Sequence, residues 1–225
     1  MIVRFPPQAE GPATSELVEV DGEVVALHDY AALYAVPGRY EAVVQDALGC
    51  VTPAVVARML AARAPGARVL DLGAGNGVSG AALAAAGLVP AVGIDLEPAA
   101  RAAALRDRPG LYADYLTADL TALSTGERAR IGATRPTALA CVGAIGSDHV
   151  PPDAVTAALA LLPPRAPVAY AFDVALGADP LRTAVGRVLA RERYVHRRTA
   201  AGGERVWEAV VAESLRAGIG EPARG

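Results

Sequence analysis

Asp71, Asp95 and Asp119 lie at the ends of three short apolar runs, VLDL, VGID and LTAD, and the first leads into GAGNGVSG. In that stretch Gly75, Gly77 and Gly80 spell G-x-G-x-x-G. A glycine-rich turn that follows a strand and opens a helix lets backbone amides and the helix N-terminus approach a ligand closely. Asp95 follows Gly75 by twenty positions, where a carboxylate accepts hydrogen bonds from ribose hydroxyls. This pattern suits a nicotinamide dinucleotide and adenosylmethionine equally well. Asp71 separates them. A carboxylate immediately before the turn repels a pyrophosphate, but it suits an ammonium group, held directly or through water. The third acid, Asp119, is placed to accept a hydrogen bond from an adenine amino group.

Such a loop needs a strand before it and a helix after it. Strand candidates are 68–72, 90–95, 114–118, 137–142 and 167–172, with helices expected at 77–87, 97–106, 124–132, 152–161 and 179–192. Apolar strands alternating with helices predict a parallel sheet covered on both faces. YVHRRT (194–199) and RVWEAVVAE (205–213) then read as two strands joined by a tight turn. Upstream, Asp21-Gly22 between two β-prone runs predicts a type I′ hairpin over about 16–27. Residues 1–15 read as irregular. Tyr30 and Tyr34 fall on one helical face, and a helix is expected over about 39–48. TPAVVARMLAARA starts a further helix, with Thr52 as N-cap and Pro53 in the first turn.

In open α/β sheets the site is built from loops at the carboxyl ends of the strands. After the fourth strand that loop is GAIGSDHVPP, 143–152. His149 is its candidate base, because imidazole titrates near neutral pH. Asp148 is its neighbour, although adjacency alone does not orient the ring. The bland alternative makes His149 a loop residue before a helix whose first turn holds Asp153. Arg187, Arg191, Arg193, Arg197 and Arg198 read as a solvated helix face, with attraction of an acidic substrate as the alternative.

Composition narrows the classes. The chain has 225 residues, 53% of them hydrophobic, and a net charge of −3. Its mean hydropathy is +0.31, but no apolar run approaches the roughly 20 residues of a spanning helix. All 21 basic residues are arginine, which excludes Schiff-base chemistry and a P-loop lysine. The acidic balance disfavours a grip on phosphate backbones. Cys50 and Cys141 read as reduced, and His28, His149 and His196 show no zinc spacing. The amino terminus lacks the pattern of a signal peptide, so a cytoplasmic protein is expected, with no membrane or nucleic-acid partner.

At VLDLGAGNG, VGIDLEP, Asp119 and ALACVGAIG the sequence resembles the class I S-adenosylmethionine-dependent methyltransferases, over about residues 52–213. YEAVVQDALGCVTPAVVARML is similar to the lead-in helix of small bacterial relatives of the Williams–Beuren-region methyltransferase. The resemblance implies a Rossmann-like three-layer α/β sandwich, with a mostly parallel seven-stranded sheet ending in an antiparallel hairpin. Residues 1–51 would form an N-terminal extension and hairpin/helical lid, and 52–225 the adenosylmethionine-binding domain. It implies cofactor contacts from Asp71, Gly73, Ala74, Gly75, Asn76, Gly77, Asp95, Leu96, Asp119, Leu120, Val142 and Gly143. Tyr30 and Tyr40 would reach the cofactor from the lid. Asp173 followed by Val174, where metal-dependent catechol-type members carry Asn, implies no metal. The implied activity is O-, N- or C-methylation of a small molecule, in specialised metabolism, by a protein compatible with a homodimer. Two alternatives stay open: an adenosylmethionine-binding cyclase or regulator, and an NAD(P)-dependent oxidoreductase.

Overall fold

The computed structural model describes residues 1–8, 16–143, 145 and 150–215. Five apolar runs become parallel strands: β4 (Arg68–Leu72), β5 (Val89–Asp95), β6 (Asp114–Thr117), β7 (Ala138–Cys141) and β8 (Pro167–Asp173). Two long strands, β9 (Val185–Arg198) and β10 (Glu204–Ser214), complete a sheet of order β6-β5-β4-β7-β8-β10-β9. β10 runs antiparallel to both its neighbours. Helices cover both faces. α2 (Thr52–Ala61) and α3 (Val78–Ala85) pack with Val69, Ala140 and Val211 on one face. α5 (Thr125–Ala133) and α6 (Pro152–Leu159) pack with Leu70, Leu139 and Tyr170 on the other. All four β7 residues are fully buried, which is why that run is uniformly apolar rather than alternating.

The amino-terminal part builds a small core of its own. β2 (Leu17–Val20) and β3 (Glu23–Ala26) form the expected hairpin, with positive φ at both Asp21 and Gly22. β1 (Val3–Arg4) adds a third strand within the stretch read as irregular. A two-residue strand carries no pattern of its own and exists through its pairing with β2. Next come α1 (Tyr30–Ala35) and a π-helical segment, Glu41–Ala47, inside the expected 39–48 helix. Such i→i+5 segments are uncommon and occur frequently at functional sites.

Two local expectations are corrected. The helix expected over 179–192 is absent, and most of that stretch belongs to β9. Arg191 and Arg193 both reach Glu208 on β10, at 2.5 and 2.9 Å. Residues two apart share a face on a strand but not on a helix, so cross-strand ion pairing overrides the helix-like composition. The arginines expected on a helix face therefore lie along an edge strand. Thr52 is likewise not an N-cap, since α2 begins at Thr52 with Val51 before it. Its hydroxyl lies 2.6 Å from His196 Nδ1 and 2.8 Å from the Tyr194 hydroxyl. Burial, reinforced by Arg197, pushes the His196 pKa down to about 3, so the ring is neutral. Thr52→Val strands both partners inside the protein. We expect it to lower stability by about 1–3 kcal/mol in urea denaturation, whereas loss of an ordinary cap would spare the β9 contacts.

Candidate functional site

A cavity of about 440 Å³ opens at the carboxyl ends of β4, β5, β6 and β7. One wall carries Gly73, Asp95, Leu96, Asp119 and Leu120, and another carries Val142, Gly143, Val150, Pro151 and Ala154. Tyr30, Tyr34 and Tyr40 close it from the amino-terminal part. Their rings pack against each other, Tyr34 lying 6.0 Å from Tyr30 in a stacked pair and 5.3 Å from Tyr40. Desolvation pushes all three phenol pKa values up, so this wall stays uncharged at neutral pH.

The glycine loop connects β4 to α3. Gly73, Gly75 and Gly77 all have positive φ, the region where glycine carries no steric cost. Asp95, at the end of β5, holds the loop: Gly75 N–H donates to its Oδ2 at 2.8 Å and Glu97 N–H to its Oδ1 at 2.9 Å. From behind, the Tyr115 hydroxyl donates to the Gly75 carbonyl at 2.6 Å. Gly93 permits this, because a Cβ there would sit 2.8 Å from the Tyr115 ring. Gly80 has a similar duty. A Cβ at Gly80 would collide with the Tyr112 hydroxyl, which donates to Asp71 Oδ2 at 2.7 Å. The third glycine of the motif thus makes room for an aromatic side chain.

Asp71 is fully buried behind the loop. Its Oδ2 also accepts from Ser79 Oγ at 2.6 Å, while Oδ1 takes no hydrogen bond from the described residues. Desolvation raises its pKa to about 6 against the opposing effect of the Ser79 and Tyr112 hydrogen bonds. Asp119 is exposed at the far end of the cavity, where its Oδ1 accepts from the Thr121 amide and hydroxyl. Those bonds hold its pKa below the usual carboxylate range.

The structure therefore separates residues that the sequence had grouped. Gly73, Asp95, Leu96, Asp119, Leu120, Val142, Gly143, Tyr30 and Tyr40 reach the cavity wall. Asp71, Ala74, Gly75, Asn76 and Gly77 are not among the residues that line it. Asp71 and Ala74 are buried, and Gly77 backs onto Arg108 and Leu111. The buried Asn76 side chain donates to Glu41 at 3.1 Å. Asp148 and His149 lie outside the described residues. Tyr34, Glu97 and Thr121 were missed. For Tyr34 the signal was present, as it shares a helical face with Tyr30. Asp173 is engaged by the Ala175 amide and by Arg205. Among the described residues there is no cluster of three metal-ligating side chains. No single described helix is long and apolar enough to cross a membrane.

A parallel sheet with one antiparallel strand inserted beside the last position is a specific topology, and solved structures share it. The 1,6-didemethyltoxoflavin-N1-methyltransferase of Burkholderia thailandensis, bound to 1,6-didemethyltoxoflavin and S-adenosylhomocysteine, aligns with a TM-score of 0.53. The match has 20% identity over 89% of this chain and 95% of that one. The chain has the class I methyltransferase fold. The N-methyltransferase NodS of Bradyrhizobium japonicum, in complex with S-adenosyl-l-homocysteine, shares the fold at TM-score 0.54 and 14% identity, covering 73% and 86% of the two chains. The ribosomal protein L11 methylase of Lactobacillus delbrueckii does so at 0.51 and 15%, covering 72% and 77%. Acceptors thus differ among proteins with this methyltransferase fold, from a small molecule to a ribosomal protein. No protein-family model matches the chain, and no curated protein does.

Proposed function

We propose that the chain is a methyltransferase that uses S-adenosylmethionine to methylate a small molecule. The observation that carries this reading is the placement of the acids. Asp95 and Asp119 share the cavity wall at the ends of β5 and β6, and Asp71 places a buried carboxylate behind the intervening loop. A dinucleotide would bring its pyrophosphate against that loop, where Asp71 opposes it. A cationic amino-acid tail meets no such opposition, and the free Asp71 Oδ1 provides an anionic site behind the loop. The donor set therefore fits adenosylmethionine.

In this reading Asp95 holds the ribose, Asp119 and the exposed Leu96 flank the adenine, and the three tyrosines exclude water. The cofactor supplies an activated methyl carbon, and the protein aligns an acceptor with it in a dry cavity. The cavity's modest size and the net charge of −3 favour a small acceptor over nucleic acid. Calorimetry tests the assignment. Adenosylhomocysteine is expected to bind and NAD not to; NAD binding without adenosylhomocysteine binding at hundreds of micromolar defeats it. Mass spectrometry of candidate acceptors, reading the gain of one CH₂, tests transfer itself.

A further inference from the structure

The glycine loop offers five consecutive amides, at residues 73 to 77, and the fold engages four of them. Gly73 N–H and Ala74 N–H donate to the Ile94 carbonyl at 2.9 and 3.1 Å, and Gly77 N–H to the Ala74 carbonyl at 2.9 Å. Gly75 N–H is held by Asp95. These four bonds stay within the strand–loop–helix frame. The Asn76 amide differs: none of those bonds holds it, and the hydroxyl of Tyr34, a residue of α1, faces it.

That hydroxyl is seated deep in the loop. It lies 2.6 Å from the point a Cβ at Gly75 would occupy, so only glycine admits it. The rest of Asn76 is clasped from the same side. Its side chain donates to Glu41 of the π-helical segment, and its carbonyl accepts from Arg108 Nη1 at 2.9 Å. Arg108 also pairs with Glu41, which closes a three-cornered network. Arg106 secures the neighbourhood by donating to the Tyr34 carbonyl at 3.0 Å. Side chain and carbonyl of one loop residue are thus bound, the first by the amino-terminal part and the second by an arginine paired to it.

We propose that this clasp gates the site: Tyr34 is a built-in occupant of the glycine loop, and an acceptor oxygen on the ligand's tail displaces it to reach the Asn76 amide. The proposal rests on the adenosylmethionine reading for the identity of that tail. The Asn76 amide is the one loop donor that the loop's own scaffold does not use. Freeing Gly73, Ala74, Gly75 or Gly77 would dismantle the strand–helix turn. Glu41 acts through Asn76 and Arg108 and is a positioning residue, setting how readily the lid lets Tyr34 leave.

Two conservative variants of the full chain test this. Tyr34→Phe removes the hydroxyl and keeps the stacked ring, while Glu41→Gln keeps the volume and removes the charge pairing with Arg108. Hydrogen–deuterium exchange without added ligand reads the loop directly. Both variants are expected to speed exchange of the segment containing Asn76 about three- to tenfold, as the loop loses a polar contact with the amino-terminal part. The association rate of adenosylhomocysteine should rise by a similar factor, and its dissociation constant should fall in Tyr34→Phe. Unchanged exchange in both variants overturns the clasp. Faster exchange with weaker adenosylhomocysteine binding in Tyr34→Phe also overturns it, because the hydroxyl would then be a ligand contact. If adenosylhomocysteine binds neither the natural chain nor the variants, the cofactor assignment fails, and the exchange rates still decide the clasp.

Discussion

Asp95→Asn is expected to weaken adenosylhomocysteine binding by about a hundredfold or more and to destabilise the chain by about 2–3 kcal/mol. The substitution is nearly isosteric, so the effect isolates donor and acceptor chemistry. In the natural chain each carboxylate oxygen accepts one backbone amide, Gly75 on Oδ2 and Glu97 on Oδ1. An asparagine has one acceptor oxygen, so its NH₂ must face one of those N–H groups donor to donor. Either the loop amide or the first turn of α4 (Pro98–Asp107) loses its partner, and a hydrogen bond to a charged group contributes about 1.5–3 kcal/mol. The same carboxylate is the proposed ribose anchor, and two hydroxyls bonded to an ion account for the expected loss of affinity. Calorimetry with adenosylhomocysteine and urea denaturation measure the two halves separately. Unchanged affinity would remove Asp95 from the ligand site while leaving its role in the loop.

Asp71→Asn should do the opposite to stability. The folded chain raises the Asp71 pKa to about 6, chiefly through burial, whereas an unfolded aspartate titrates near 3.9. Between these values the folded state binds the proton more tightly. The stability that Asp71 contributes is therefore fully present below about pH 4 and lost as pH rises to about 6. About two pKa units correspond to roughly 3 kcal/mol. The substituted side chain cannot ionise, and its amide oxygen still accepts from Ser79 and Tyr112. Carboxylates held low by arginine, such as Asp114 beside Arg130 and Glu208 beside Arg193, slope the other way. Both proteins carry them, so they cancel in the difference between the two pH curves. That difference should be small at pH 4 and favour the variant by up to about 3 kcal/mol at pH 7. The affinity for adenosylhomocysteine should fall in the variant, since the buried charge is the proposed counterion of the ammonium. A difference curve that stays flat from pH 4 to pH 7 would mean that Asp71 carries no such cost. On the proposed function, the natural chain keeps a destabilising charge to face the ligand's ammonium, a trade often made at functional sites.

The amino-acid order alone settled the parallel sheet, because five apolar runs at regular spacing between helical segments have few other ways to be buried. It settled the loop between β4 and α3 too, through three glycines and an acid whose conformational and electrostatic meaning is local. The hairpin at Asp21-Gly22 followed from the same kind of short-range rule. Tertiary structure decided what local rules cannot express. β9 is a strand because Glu208 lies across the sheet from Arg191 and Arg193, and α2 begins without a Thr52 cap because His196 and Tyr194 claim that hydroxyl. Gly80 serves Tyr112, and the Asn76 side chain serves Glu41, through contacts between residues far apart in the chain. Asp71 was legible as an acid beside the loop, but its burial, its raised pKa and its unshared oxygen arise only when Ser79 and Tyr112 close around it. Spacing along a chain records periodicity and turn chemistry, whereas which partner a side chain meets across tens of residues depends on the packed fold.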